Sequence, residues 1–157
     1  MPHPVHHVQS RHRITVDAPV DKCFMFFTPA GETLWVDGWQ PRYLHPADGR
    51  TEPGMVFTTG EVADHTIWML VDFDRAAHYS RYARVTPGSR AGFVEVRCRA
   101  LAAGRTEVEV GYTLTALNEQ GAQLLQAFEG ERFMQMIDGW AREIAGRLDR
   151  LMSADIR

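Results

Sequence analysis

The architecture is written most plainly in Val94-Glu95-Val96-Arg97-Cys98-Arg99, a turn at Ala102-Ala103-Gly104, and Glu107-Val108-Glu109-Val110-Gly111-Tyr112. Setting Leu101 opposite Arg105 brings Arg99 to Glu107 and Arg97 to Glu109 on one face of a hairpin. The other face then joins Cys98 to Val108, Val96 to Val110 and Val94 to Tyr112. A slip of one residue would set charges against valines, so the pattern specifies a sheet wet on one side and buried on the other.

Upstream, Pro41, Pro46, Gly49, Pro53-Gly54, Gly60 and Pro87-Gly88 cut the chain into strand-sized intervals. Alternation predicts a first strand over 8–16, then strands near 42–45, 55–61, 65–74, 78–86, 93–101 and 106–117. Between the first two, Pro19 or Val20 opens a short helix carrying Val20, Cys23, Phe24 and Phe27. Pro29 stops it, and residues 32–36 form a second short helical piece. From Glu119 the period becomes helical: Leu124, Phe128, Phe133, Ile137, Trp140, Ile144, Leu148 and Leu151 make one apolar stripe. Asn118 caps this long helix, and Gly130, Gly139 and Gly146 lie inside it, where close packing or a bend would account for them. The strand at 65–74 is apolar on both sides, with Ile67, Met69, Val71 and Phe73 on one face and Trp68 and Leu70 on the other. That second face needs a cover, which motivates a homodimer with Trp68 and Leu70 as its markers.

The chain has 157 residues, 45% of them hydrophobic and 24% charged, the profile of one globular unit. Residues 1–7 read as a flexible lead-in and 8–157 as a single domain. A formal charge of -3, with no basic run interleaved with aromatics, excludes nucleic acid as the expected partner. Cys23 and Cys98 match no metal spacing and read as buried free thiols. No apolar run is long enough to span a bilayer and no secretory signal opens the chain, so the expected location is cytoplasmic, without stable membrane insertion.

The order of one strand, two short helices, a meander and a last helix resembles the START-like, or SRPBCC, superfamily of birch-pollen-allergen-like and polyketide cyclase-like proteins. The stretch Ile14-Thr15-Val16-Asp17-Ala18-Pro19-Val20-Asp21, running on to Phe24 and Phe27, looks like that family's opening. Tyr112-Thr113-Leu114-Thr115-Ala116-Leu117, followed by Phe133 to Trp140, looks like its last strand and closing helix. The resemblance implies the α+β helix-grip fold, a curved antiparallel sheet of about seven strands wrapped around a long C-terminal helix. It also implies a cavity between sheet and helix for lipids, sterols, polyketides or other apolar molecules. Only some members catalyse reactions there, and no catalytic residue carries over.

His3, His6, His7 and His12 lack an accompanying carboxylate or cysteine cluster, so neither metal nor cofactor is expected. Asp72 and Asp74 read as a solvated strand end, His45, His65 and His78 as residues flanking turns, and Ser10, Ser80 and Ser89 as hydroxyls without a base partner. The glycines fit no phosphate loop. The candidate ligand-binding residues are Trp35, Trp39, Phe57, Met69, Val96, Tyr112, Phe133, Met136 and Trp140, with Tyr112 setting orientation. Binding of a small hydrophobic or amphipathic molecule is the expected function. The alternatives are a cyclase, dehydratase or hydrolase in the same cavity, marked by an ionisable residue deep inside, and a protein-interaction or chaperone-cofactor module.

Overall fold

Seven segments of alternating apolar and polar side chains fold as strands, and the computed structural model describes the chain over residues 6–157. They are β1 (His7–Val16), β2 (Arg42–His45), β3 (Val56–Thr59), β4 (Thr66–Asp74), β5 (Tyr79–Thr86), β6 (Arg90–Ala102) and β7 (Arg105–Ala116). One sheet holds them in the order β1-β7-β6-β5-β4-β3-β2, all neighbours antiparallel. Residues 1–5, including His3 and most of the expected lead-in, lie outside the described residues, and His7 already belongs to β1.

The β6–β7 register places Arg99 opposite Glu107, Cys98 opposite Val108, Val96 opposite Val110 and Val94 opposite Tyr112, as the two-sided pattern requires. A bulge between Ala100 and Ala102 gives Arg105 the partner Ala102 in place of Leu101. On the wet face Arg99 bonds Glu107 at 3.2 Å and Arg13 of β1 bonds Glu109 at 2.9 Å. Arg97 instead lies 4.5 Å from the Tyr79 ring.

Helix α1 (Val20–Met25) follows β1, and α2 (Pro29–Glu32) follows α1. Helix α1 already ends at Met25, and Pro29, expected to stop it, instead starts α2, because a proline lacks only an N–H that a first turn leaves unpaired. Thr28 caps α2: its hydroxyl accepts from the Gly31 N–H at 3.0 Å and donates to the Met25 carbonyl at 2.7 Å. The C-terminal helix is broken where a single continuous one was expected. It comprises α3 (Glu119–Leu125), a turn of 3-10 helix, α4 (Gly130–Gly146) and α5 (Leu148–Ser153). Asn118 caps α3 by accepting from the Gly121 N–H at 2.8 Å. Gly130 has φ of 55°, a left-handed value that interrupts the helix before α4. In α3 Leu125 is buried, and Leu124, expected in the stripe, is exposed. Phe133, Ile137, Ile144 and Leu151 then press into the concave side of the sheet.

Strand β4 reverses the expected sides. Trp68 and Leu70 face the core, whereas Met69 and Val71 are exposed. A bulge leaves Val71 without a partner and sends Phe73 inward, opposite buried Ser80 and stacked on Phe24 at 5.4 Å. The chain's own core thus covers Trp68 and Leu70, which removes them as markers of a homodimer. Cys23 and Cys98 are buried free thiols; contact with Cys23, together with burial, pushes the Cys98 thiol up. No helix among the described residues is long and apolar enough to cross a membrane.

Candidate functional site: an aromatic pocket with a cationic end

Between the sheet and α4 the side chains leave a volume unfilled. The resulting pocket holds about 300 Å³. Trp39, Phe57 and Trp68 form one wall, Tyr82, Val94 and Val96 the floor, and Phe27, Val36, Tyr112, Phe128 and Trp140 the other wall. The rings support one another. Phe57 and Trp68 stack at 5.8 Å, with Trp39 set edgewise to both at 6.0 and 5.7 Å. Across the pocket Tyr112 lies 5.6 Å from Phe128, 5.4 Å from Phe133 and 6.3 Å from Trp140. Indole N–H groups are tied back by bonds from Trp39 to the Pro29 carbonyl at 3.0 Å and from Trp68 to the Thr59 hydroxyl at 2.9 Å. These bonds fix the orientation of both indoles in the pocket lining.

Five charged or phenolic groups also line this apolar space. Glu32, the last residue of α2, forms no ion pair among the described residues, and burial raises its carboxyl well above the usual range. Burial likewise raises Tyr82, and Tyr112 is pushed up to about 12. Glu32 adds to the rise at Tyr112, while Arg84 and Arg90 oppose it. Arg84 stands mid-strand on β5 and is only 7% exposed. Its Nε is buried without a hydrogen-bond partner, and its guanidinium forms no ion pair among the described residues. The guanidinium lies 4.6 Å from the Trp68 ring centroid. A desolvated cation–π contact offsets about 2 kcal/mol, against several kcal/mol for taking an ion out of water. Burial therefore wins and lowers the Arg84 pKa, and it lowers that of Arg90 as well. Arg90, at the start of β6, donates to the Ser89 hydroxyl at 3.1 Å and leaves its own Nε unpartnered.

Of the residues expected to hold a ligand, Trp39, Phe57, Val96, Tyr112 and Trp140 come together on the pocket wall. Trp35 stands behind it, 5.7 Å from Trp140, with its indole N–H bonded to the Phe26 carbonyl at 2.8 Å. Phe133 backs Tyr112 from the core, and Met136 packs against the core beside it. Met69 is on the outer face, turned there by the β4 register. Glu32, Arg84 and Arg90 were not foreseen. Arg84 alternates with Tyr82 and Ser80 on the inner face of β5, a signal visible only once that face is known.

The remaining candidates lie elsewhere. Asp72 is exposed opposite Arg81, and Asp74 accepts from the Ala77 N–H at 3.0 Å. His45 and His65 are exposed, and His78 pairs with Asp21 at 2.7 Å. His12 meets Asp138 at 2.7 Å and His6 meets Glu129 at 3.1 Å, while no group of three metal-ligating side chains occurs among the described residues.

No protein-family model and no curated protein sequence matches the chain. Solved structures match its fold. The di-domain aromatase/cyclase BexL of the BE-7585A biosynthetic pathway aligns with a TM-score of 0.68 at 12% identity, over 94% of this chain and 48% of its own. Ara h 8.0201 aligns with a TM-score of 0.62 at 15% identity, over 96% of this chain and 100% of its own. Norcoclaurine synthase from Thalictrum flavum, in complex with dopamine and hydroxybenzaldehyde, aligns with a TM-score of 0.62 at 9% identity, over 90% of this chain and 88% of its own.

Proposed function

With the START-like helix-grip fold as premise, we propose that this protein binds a small aromatic or amphipathic molecule in the pocket between its sheet and α4. The carrying observation is an unfilled space of about 300 Å³ walled by aromatic rings from both layers. That volume is at the lower end of small-molecule sites, which run from about 300 to 1,000 Å³, so it suits one or two fused rings better than a long acyl chain. Norcoclaurine synthase holds dopamine and hydroxybenzaldehyde on the same fold, which supports this choice of ligand class. The proposed setting is the cytoplasm.

Native mass spectrometry with 2-naphthol tests the reading. The expected result is a one-to-one complex, weakened about tenfold or more by Trp140→Ala, which removes a wall, and by Val96→Phe, which fills the floor. Absence of binding up to about 1 mM, or binding indifferent to both changes, would reject the pocket as a ligand site.

Glu32 favours a second reading, an enzyme that moves a proton on a molecule held in the same place. A carboxyl raised by burial keeps its proton to higher pH than a solvated one, the requirement for a general acid. Deuterium exchange at the methyl group of 2-acetonaphthone, followed by NMR in D2O, checks it. The enzyme reading expects exchange accelerated by the protein and lost in Glu32→Gln; equal exchange with and without protein sinks it.

A further inference from the structure

Holding an apolar ring requires no cation, yet this pocket spends two arginines on its lining. Arg84 is more than nine-tenths buried, faces the cavity and has no acid to pair with among the described residues. Glu32 lines the same pocket, but its carboxyl, raised by burial, forms no ion pair with Arg84. Asp64, which acts on Arg90, is exposed and forms no ion pair with it either. The arginine end of the pocket is therefore electropositive, with no ion-pair partner for Arg84 or Arg90 among the described residues. The Arg84 guanidinium lies over the Trp68 ring, 4.6 Å from its centroid, and its Nε–H has no acceptor from the chain among the described residues.

We infer that this end of the pocket receives the carboxylate of an aromatic acid, with Arg84 as the principal partner, Arg90 as a second cation and the ring held between Trp68 and Tyr112. The inference rests on the reading of the cavity as a ligand site and narrows it from aromatic molecules to aromatic acids. A carboxylate supplies two coplanar acceptor oxygens, the arrangement that a guanidinium edge matches. Among buried aromatic side chains this pairing is screened less than at the surface.

Isothermal titration with 2-naphthoate and with 2-naphthalenemethanol, the same ring without the charge, separates the two claims. The wild-type protein is expected to bind the acid about tenfold or more tightly than the alcohol. Arg84→Gln should bring the two affinities within about twofold, the acid losing more than the alcohol. Arg90→Gln should narrow the gap several-fold; thermal melts establish that each variant is folded, and Arg90→Gln decides the matter should Arg84→Gln not fold. Equal affinities in the wild type, or a gap that survives substitution, overturns the carboxylate assignment and leaves the pocket standing. If neither probe binds, the assignment and the pocket fall together.

Discussion

Glu32 and Arg84 both sit where their charged forms are poorly solvated, and each makes a prediction about stability. For Glu32 the folded-state pKa lies above the unfolded one, so the unfolded chain releases its proton first as pH rises. Its contribution is most favourable below the ordinary carboxylate range and is lost progressively as pH climbs through the raised folded value. Glu32→Gln removes that dependence, so the melting temperature of the variant should gain on the wild type as pH rises from about 4.3 upward. Thermal melts across pH 4 to 8 measure the gap; a constant difference contradicts the assignment. Arg84→Met replaces an unpaired buried cation by an apolar chain of similar length. It is expected to gain about 1 kcal/mol, or about 2–4 °C in Tm for a chain of this size. A residue kept at such a cost serves something other than folding.

At the level of elements, the sheet is pinched at Gly92, which pairs with Arg84 on β5 and Leu114 on β7. A methyl group there would come within 1.8 Å of the Thr113 carbonyl oxygen, backbone that cannot yield cheaply. Gly92→Ala should cost more than about 3 kcal/mol in urea unfolding, and a loss near zero would mean that the strands are not so close. Arg90 lies two residues earlier on the same strand and the same face. The strands themselves were legible because a period of two leaves alternation in the sequence. Bulges were not. The extra residues at Leu101 and Val71 carry no marker that separates them from regular strand residues, and the second reverses the side on which Phe73 falls. Likewise the helical stripe predicted one rod, because Gly130 announces a break only through its backbone angle.

For the molecule as a whole, stability resides between the layers rather than on the wet face of the sheet. Ile137 is fully buried beneath the sheet, and Ile137→Ala should cost about 2–5 kcal/mol. Glu109→Gln loses bonds to two exposed arginines and should leave the urea midpoint nearly unchanged. The reverse order would mean that the outer charge pairs hold the fold. The candidate site was legible to a similar extent. Trp39, Phe57, Val96, Tyr112 and Trp140 could be chosen from type and position, since aromatic residues on facing elements meet across the space between them. The polar lining could not, because Glu32, Arg84 and Arg90 look like any surface charge until neighbouring strands fix which way each points.

The distribution of indoles has a practical outcome. Three of the four tryptophans, Trp39, Trp68 and Trp140, border the cavity, and Trp35 is in edge contact with Trp140. Nearly all the ultraviolet emission of this protein therefore originates within one ring's distance of any guest, and no dye or tag is required to watch the site fill.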